Sequence, residues 1–582
     1  MKKSFFTVTC TFLSLIGGIR AQESEDIGTE TVTVVKPYAP TVSDAFKLKS
    51  VPQLNDSIAL SKKAVSYTIN SVPVASTFSP AKAKAARVEK VPPPTLYNSY
   101  ASVGLGNFNN AMVDFYTSRE IGREEHLFDV GLSHHSSRGD IDSTPLDADF
   151  YNTDLDVSLS KKDREMDWGV SLGLDHSLYN WYGLESGAFT DTQVAAIDPS
   201  QNYFNAQLEG RLELKESFFK QGKIKLQRFW DGLDSGENRA VLTTAFEVPL
   251  TTETIQVKTN IDYLGGSFGN SSLNATTNTT GIDYGQLILG VNPGFVVLRD
   301  ELTLNLGANF VYGTDLERSN GSFFIYPAVT ASYRLKGDEV IAYGGIEGDL
   351  RQNSYHSLFH TNNFVSPTLE LQPTDQQYEG YLGLKGQLGT NVGYNIKGSY
   401  TAENRKPLFL LNPQNLFRGD EGYAYGNSFQ VFYDDLKTLG IFGEINVNLN
   451  RNFTLGLNAE YFNYSTETDN PAWNLPEIKG SLFLDYQINA QWYAGANLFY
   501  IGERQDLQSQ AVPNTPANLF PSTIVTIDGF FDANAHLGYR FNEQLSVFAR
   551  LSNIANNNYE RWFNFRVQGF QALAGVAYKF DF

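Results

Sequence analysis

The sequence predicts an all-β protein: a transmembrane, outer-membrane antiparallel β-barrel of about 22 strands, preceded by a short extended periplasmic N-terminal leader. Two patterns predict this fold, a strict two-residue alternation of apolar and polar side chains and a regular alternation of short and long connections. A helical membrane protein is excluded, because no stretch after residue 21 approaches the roughly 20 consecutive apolar residues of a membrane helix.

Strands with one apolar face recur throughout residues 96–582. In residues 302–312 one face is entirely apolar and the other mostly polar, and residues 453–461 repeat this pattern. A period of two places one side of each strand against hydrophobic material and the other against water. Soluble sandwiches also alternate, but rarely over so long a stretch without a second domain. The mean hydropathy of −0.29 fits a barrel, because alternating strands average to near-neutral hydropathy.

The connections between the predicted strands are alternately tight and long. Tight turns fall at residues 122–124, 162–165, 336–338, 389–390 and 489–490. Long connections fall at residues 178–201, 351–376, 403–436 and 504–527. This alternation is expected when one end of a barrel carries periplasmic turns and the other carries extracellular loops. An even number of strands then returns both ends of the barrel to the periplasmic side.

The first 21 residues are typical of a secretory signal peptide. Lys2 and Lys3 form a positive start, residues 5–19 are apolar apart from small polar residues, and cleavage is expected before Gln22. The alternative is a buried N-terminal helix. Cys10, the only cysteine, lies in this segment, so the mature chain is expected to lack cysteine. A disulfide scaffold and a Cys₄ zinc site are thereby excluded.

Residues 22–95 differ from the rest in composition, being rich in Pro and almost free of Gly, with no repeated apolar face. We expect an extended periplasmic leader rather than a folded domain. Its one β-prone run consists of Thr31, Val32, Thr33, Val34 and Val35.

Nothing in the sequence predicts catalysis or a nucleic-acid partner. The net charge of −19 repels nucleic acid, and there is no basic stripe to offset it. His134 and His135 are adjacent on a predicted strand and point to opposite faces, so they do not share a metal. His356 and His360 have i,i+4 spacing, but in a predicted loop without a nearby carboxylate, and we favour a structural role over a metal site.

A group of four acidic residues is the one candidate for a bound ion. Asp140, Asp142, Asp147 and Asp149 crowd one predicted loop and could hold Ca²⁺. The alternative is a solvated acidic loop. We expect no other cofactor.

Large apolar side chains occur in the predicted long loops, where water would otherwise surround them. Loop 403–436 carries Phe409, Phe417, Tyr423 and Tyr425. We expect this loop to fold into or across the barrel mouth, or to dock a partner there. The neighbouring loop 351–376 adds Tyr355, Phe359 and Phe364.

A second aromatic group lies in loop 178–201. Tyr179, Trp181 and Tyr182 could stack on a sugar-like ligand. Aromatic residues of a membrane interface look the same in a sequence, so this alternative stays open.

The carboxyl end carries the most specific motifs. Tyr578, Phe580 and Phe582 fall on one face of the predicted last strand, the feature that barrel-assembly machinery reads in outer-membrane barrels. Residues 551–560, LSNIANNNYE, resemble the Asn-Leu-x-Asn-x-x-Tyr stretch near the end of TonB-dependent receptors, and residues 568–580 resemble their closing strand. With Gln22 after the cleavage site and abundant Asn and Tyr, the sequence resembles proteins of Bacteroidota.

The resemblance implies a TonB-dependent receptor barrel in the Gram-negative outer membrane, with membrane lipid and TonB among its partners. Members of that family carry an N-terminal plug that closes the barrel. Residues 22–95 are too few and too Pro-rich to supply one, so we expect the plug to be missing. Residues 31–35 could mimic the strand that such receptors offer to TonB, or could be a β-prone patch of the leader.

An empty barrel of this size would be a wide hole, so something has to fill it. Three functions are therefore considered. The first is transport across the outer membrane, which the resemblance favours. The second is a scaffold subunit of a larger complex that assembles or exports surface proteins, with an outer-membrane protein or lipoprotein as partner. The third is a loop-gated porin.

Overall fold

The computed structural model describes residues 95–122, 126–250, 253–270, 281–414, 421–509 and 521–581. These residues belong to one compact unit, Thr95–Phe582. The predicted signal peptide, residues 22–94 of the leader with the run 31–35, Phe417 and Phe582 lie outside the described residues.

The described chain is built almost entirely from strands. The first half contains β1 (Ser99–Gly106), β2 (Ala111–Ile121), β3 (His126–Ser137), β4 (Phe150–Lys162), β5 (Met166–Asn180), β6 (Ser200–Leu214), β7 (Phe219–Asp231), β8 (Gly236–Leu250), β9 (Glu253–Phe268), β10 (Ile282–Arg299), β11 (Leu302–Asp315), β12 (Asn320–Lys336) and β13 (Val340–Arg351). The second half contains β14 (Thr374–Leu388), β15 (Val392–Leu411), β16 (Phe429–Asn450), β17 (Phe453–Thr466), β18 (Ile478–Gln487), β19 (Trp492–Ile501), β20 (Arg504–Ser509), β21 (Ser522–Ile527), β22 (Phe530–Arg540), β23 (Leu545–Ser552), β24 (Glu560–Trp562), β25 (Phe565–Arg566) and β26 (Gln571–Phe580).

In the described part of the chain two short helices interrupt the strands, α1 (Asp191–Val194) and α2 (Tyr355–Thr361). Within the described ranges, no helix has the length and apolar character needed to span a membrane.

Twenty-two of these strands form one closed antiparallel sheet, as the sequence predicts. Each barrel strand pairs with the next, and β1 closes the ring by pairing with β2 on one side and β26 on the other. The remaining strands form two small hairpins, β20 with β21 and β24 with β25. Closure leaves no unpaired edge in the lipid, where each unsatisfied backbone group would cost several kcal/mol.

The last strand sits where the sequence places it. Tyr578 pairs with Ala101 of β1 and with Leu545 of β23, so β26 is bound on both sides. The Tyr578 side chain is exposed on the outer surface, and its ring stacks on that of Phe580 at 6.0 Å. Recognition of this aromatic face by assembly machinery stays a prediction.

The two ends of the barrel differ in their connections. At one end, the turn end, the connections are tight, as at residues 163–165, 389–391 and 488–491. At the other end, the long-loop end, the longest connections are residues 181–199, 352–373, 412–428, 502–529 and 553–570. The alternation of short and long connections therefore matches the predicted arrangement.

The predicted loop 403–436 has the wrong bounds. β15 continues to Leu411 and β16 begins at Phe429, and these two residues pair directly. The alternation is interrupted at Arg405, which has a positive φ of 53° in a break of the β15–β16 register. Beyond this break both faces of β15 are covered, because the consecutive residues 408–411 are all buried. Phe409 is thus a strand residue, and the actual connection is residues 412–428.

The outer surface of the barrel is apolar. Leu172, Leu208 and Leu226 lie side by side on three neighbouring strands and expose 42%, 44% and 43% of their surfaces. Exposed large apolar residues alternate with inward-facing ones in the same way along most strands. A continuous apolar surface of this kind faces lipid in outer-membrane barrels.

The inner surface is polar. The Asn205 amide donates to the carboxylate of Asp175, and Gln227 Nε2 donates to Asn205 Oδ1 at 2.8 Å. Arg239 makes a two-pronged ion pair with Asp262, with Nε 2.9 Å from Oδ1. Hydrogen-bonded polar side chains of this kind are typical of the inner face of a transmembrane barrel and are not those of an apolar core.

A lysine on the lipid face should destabilise the barrel. We expect Leu172→Lys to cost about 2–4 kcal/mol near the bilayer midplane, because an ammonium group would replace a lipid-exposed side chain. Urea unfolding in lipid vesicles, followed by heat-modifiable gel migration, measures this cost. The matched control is Ser171→Lys, which points into the lumen opposite Glu209 and should cost much less. Equal costs for the two variants would contradict the assignment of faces.

Candidate functional site

Five long connections pack together inside the long-loop end of the barrel. We call them the cap: the described parts of residues 181–199, 352–373, 412–428, 502–529 and 553–570. The cap shares one buried apolar cluster with the barrel wall. Its buried members are Tyr203, Phe229, Leu264, Phe268, Tyr284, Tyr355, Leu358, Phe359, Val365, Leu369, Leu371, Phe409, Leu411, Phe429 and Phe565.

Helix α2 is the rigid element of the cap. Ser354 precedes the helix and accepts a hydrogen bond from Ser357 N at 3.1 Å, while Ser357 Oγ accepts one from Ser354 N at 3.1 Å. This reciprocal capping box satisfies amides that a helix start otherwise leaves free. Tyr355, Leu358 and Phe359 follow at helical spacing and form the buried face. The sequence predicts a loop here, because a helix of seven residues, about two turns, leaves too little periodicity to detect.

Glu237 of β8 anchors the start of α2 to the barrel wall. Its buried carboxylate accepts hydrogen bonds from Tyr355 N at 2.6 Å, His356 N at 3.4 Å and Tyr284 Oη at 3.1 Å. A carboxylate is favoured at a helix N-terminus, where backbone N–H groups converge. The Tyr355 hydroxyl adds a bond of 2.9 Å to Asp231. The helix is therefore docked through buried acidic groups of the wall.

An aromatic stack joins three loops at the centre of the cap. The rings of Phe364 and Phe565 stack with centroids 3.8 Å apart, and Tyr182 meets Phe565 edge-on at 5.1 Å. Tyr182 Oη donates to the carbonyl of Arg566 at 2.7 Å. Burial raises the pKa of the Tyr182 hydroxyl, so the group remains a neutral donor.

A second contact ties residues 181–199 to residues 412–428. Trp181 packs edge-on against Tyr423 at 5.3 Å, and Asn427 Nδ2 donates to Trp181 O at 2.8 Å. Asn427 Nδ2 also donates to Gly422 O at 2.9 Å, which holds its own loop in shape.

A small polar group fixes the base of residues 412–428. Asn412 Nδ2 donates to Ser366 Oγ at 3.1 Å and to Ser428 Oγ at 2.9 Å. Ser366 N donates to Phe429 O at 2.8 Å, and Phe429 N donates to Phe364 O at 2.9 Å. Every one of these groups is deep in the cap, so the bonds satisfy amides and hydroxyls that water cannot reach.

Asp506 of β20 anchors the hairpin to β15. Its carboxylate accepts hydrogen bonds from Leu411 N at 2.9 Å, Asn474 Nδ2 at 2.8 Å and Leu507 N at 2.8 Å. Burial is the dominant influence on this carboxyl and raises its pKa to about 6. Arg504, also in β20, donates Nη2 to Glu560 O at 2.8 Å and so links the hairpin to residues 553–570.

These contacts cross the barrel mouth. Phe229 belongs to β7 and Phe429 to β16, which are nine places apart in the ring of 22 strands. Phe359 lies against Phe229 at 5.5 Å, and Phe565 lies against Phe429 at 5.8 Å. The cap thus connects strands nearly opposite one another and lies over the polar lumen.

Comparison with known proteins fits this geometry. The sequence model of one family, described as "TonB dependent receptor-like, beta-barrel", matches residues 95–554. The chain belongs to this family. It is accordingly an outer-membrane β-barrel, and its long-loop end faces the outside. No curated protein matches the sequence.

Solved structures of TonB-dependent receptors share the fold. The ferripyoverdine receptor of the outer membrane of Pseudomonas aeruginosa has a TM-score of 0.59 at 13% identity, with 84% of this chain and 72% of that chain covered. The FrpB iron transporter from Neisseria meningitidis has a TM-score of 0.61 at 11% identity, covering 84% and 83%. The copper transporter OprC has a TM-score of 0.56 at 13% identity, covering 84% and 82%.

The described aromatic residues singled out in the sequence of this TonB-dependent receptor-like barrel lie in the cap or on strands beside it, and Tyr179 belongs to β5 rather than to the predicted loop 178–201. Tyr179 lies 5.8 Å from Phe359, Phe409 lies 5.4 Å from Trp562, and Tyr425 lies 5.9 Å from Phe189. Their ligand-binding role stays a prediction. Trp181 and Tyr423 are only 1% and 0% exposed, so stacking on a ligand would require the cap to open.

The structure places the two groups of possible ion ligands, the four aspartates and the histidine pair, in different surroundings. Asp140 and its three acidic neighbours belong to no group of three or more possible metal ligands, and none occurs among the described residues. Calcium binding there stays a prediction without a donor cluster behind it. His356 and His360 lie on α2 rather than in a loop, and their Nε2 atoms are 3.0 Å apart. Burial lowers the pKa of His356 to about 3.

Three residues that hold the cap could not have been singled out from the sequence. Glu237 and Asp506 are two of 64 acidic residues, and no local pattern marks them. Asn427 is equally unmarked in an Asn-rich chain. Only burial and hydrogen-bond geometry distinguish these side chains from solvated ones.

Removing the charge of Glu237 should loosen α2. We expect Glu237→Gln to weaken docking of residues 352–373 by about 1–3 kcal/mol, because an amide NH₂ would face the donors of Tyr355 and His356. Faster hydrogen exchange of the α2 amides measures this effect. The control is Glu209→Gln, a lumen carboxylate that pairs with Lys223 and should leave α2 unchanged. Unchanged exchange in Glu237→Gln would contradict the anchoring role.

The hairpin should be held more tightly at mildly acidic pH. Because the pKa of Asp506 is raised in the closed cap and would return towards its usual value near 4 when solvated, the closed form binds the proton more strongly. Closure is therefore favoured at pH 5 and loses this contribution as pH rises through about 6. Hydrogen exchange of β20 at pH 5 and pH 7.5, corrected for intrinsic rates, measures it. Asp506→Asn should reduce the difference, and an undiminished difference would contradict the assignment.

Proposed function

We propose that this barrel passes a solute across the outer membrane and that the cap is its gate. The observation that carries the proposal is a polar lumen lying directly beneath a cap that crosses the mouth. Such a passage is closed but has a water-compatible interior. The TonB-dependent receptor-like barrel and the transport roles named for the structural neighbours support this function.

The way in which the cap is attached is compatible with opening. Besides the apolar cluster, its loops are fixed to the wall by side-chain hydrogen bonds, as at Glu237 and Asp506, and within the described residues the β20–β21 hairpin pairs with no barrel strand. Undocking α2 or the hairpin would break these bonds without breaking the ring of 22 strands. The barrel itself could therefore remain rigid while the gate moves. The proposed function is transport, and we assign this protein no catalytic activity.

The second candidate function is a closed scaffold within a larger outer-membrane complex. Its support is the completeness of the packing: Tyr355, Val365, Phe429 and Phe565 are all fully buried. Opening would expose this cluster, at about 1.5–3 kcal/mol for each large apolar side chain. A cap that never opens would make the barrel a platform for a partner protein or lipoprotein.

Removing the carboxylates that anchor the cap distinguishes the gate from the scaffold. We expect a Glu237→Ala/Asp506→Ala double variant to conduct ions several-fold better than the wild type in planar bilayers and to sensitise cells to vancomycin. Unchanged permeability, with loss of a co-purifying protein, would contradict the gate and support the scaffold. Unchanged permeability alone would mean that the cap does not control the lumen.

Cross-linking supplies the matched control. Gln508 Nε2 donates to Glu185 Oε1 at 2.8 Å, so this partly exposed pair spans the hairpin and residues 181–199. Cysteines at both positions, introduced into the Glu237→Ala/Asp506→Ala double variant and joined by a short bismaleimide, should restore low conductance. The background is clean because Cys10 is the only native cysteine. Cysteines left unjoined should not restore closure.

Energy coupling through residues 31–35 belongs to the same proposal. These residues lie outside the described part of the chain, and their engagement by TonB rests on their β-prone sequence. Deleting them should abolish energised solute entry and leave the amount of barrel in the membrane unchanged.

A further inference from the structure

We propose that His356 and His360 bind one divalent late transition metal ion, with Cu²⁺ preferred, on the side of the cap that faces the lumen. The site is independent of the gating proposal, because it would exist equally in a permanently closed barrel. It consists of two imidazoles on one turn of α2.

The spacing of the two nitrogens fits a shared ion. His360 Nε2 and His356 Nε2 are 3.0 Å apart and share a hydrogen bond, so one nitrogen carries a proton and the other is bare. An ion about 2.0–2.1 Å from both nitrogens would take the place of that proton with an N–metal–N angle of about 90°. A right angle suits neighbouring positions of a square-planar ion and is too narrow for a tetrahedral one. Square-planar coordination by nitrogen and oxygen indicates Cu²⁺ or Ni²⁺, and Cu²⁺ binds more tightly.

The His356 ring is held by the wall before any ion arrives, and the exposed His360 ring is oriented by its contact with His356. The His356 ring lies edge-on to Phe229 of the wall at 5.2 Å, and the His360 ring lies 5.4 Å from Phe359. The helix that carries both is fixed by its capping box and by Glu237. Little conformational entropy is therefore lost when both imidazoles engage one ion.

The charged groups around the pair act in both directions. Lys225 and Arg239 lie on the wall near the histidines and disfavour a cation. Arg239 is paired with Asp262, however, and the carboxylate of Asp175 lies on the His360 side and favours a cation. The local charge therefore does not exclude a divalent ion.

The site is open on one side. No third His, Cys, Asp or Glu joins the pair in a metal-binding group among the described residues, so water would complete the coordination. His360 is exposed, which gives water and small ligands access to the ion. An ion held by two imidazoles and water exchanges readily, as suits a sensing or transient site more than a structural one. Since the ion would bind the formed helix, its arrival would stabilise α2 by mass action.

Copper titration tests the site directly. Full-length protein without added tag histidines would be titrated with Cu²⁺ in detergent and examined by electron paramagnetic resonance. We expect hyperfine splitting from two imidazole nitrogens. His356→Gln and His360→Gln should each remove one nitrogen from the signal and weaken binding on the order of tenfold or more. The control is His126→Gln at the turn end of the barrel, which should leave the two-nitrogen signal intact.

A second measurement distinguishes this site from scattered surface binding. Cu²⁺ should slow hydrogen exchange of the α2 amides in the wild type and in His126→Gln, but not in the His356→Gln/His360→Gln double variant. Heat-modifiable migration establishes that each variant is folded. A two-nitrogen signal that persists in the double variant would overturn the proposal. So would wild-type protein that binds Cu²⁺ no better than the double variant.

Discussion

The structure depends on one constraint: every backbone amide and carbonyl inside the bilayer must find a partner in the protein. Pairing of β1 with β26 meets this constraint by closing the ring. Closure at 22 strands sets a wide circumference, and the two-residue alternation then sends apolar side chains outward and polar side chains inward. A water-compatible lumen follows from closure, and the need for a cap follows from the width of that lumen.

The cap meets a different requirement from the barrel, because its loops lie beyond the lipid and must build their own core. They do so with aromatic rings packed in edge-on and stacked pairs, such as Phe364 on Phe565. Buried carboxylates then fix the packed loops to the wall, since each can accept several N–H and O–H bonds at one point. Glu237 does this for α2, and Asp506 does it for the β20–β21 hairpin.

The sequence predicts the barrel well because period two is a local property that each strand displays independently. The number of strands and the alternation of connections therefore follow from the residues alone. The prediction fails where strands leave the bilayer, as in β15, whose consecutive residues 408–411 are buried on both faces and no longer alternate. The sequence indicates the aromatic residues of the cap, because large apolar side chains are unusual in loops. It does not indicate Glu237 and Asp506, because their roles arise only from contacts between distant segments.

The same packing that closes the mouth decides how a gate would have to work. Full burial of residues such as Phe429 makes piecemeal opening costly, because each ring that leaves the cluster uncovers its neighbours. The polar anchors at Glu237 and Asp506 differ from this packing, because a change of charge at one carboxylate weakens several hydrogen bonds at once. Opening of the cap would therefore be controlled mainly at its polar anchors. The start of α2 is one of them, where Glu237 holds the backbone and His356 and His360 lie one turn apart above the lumen.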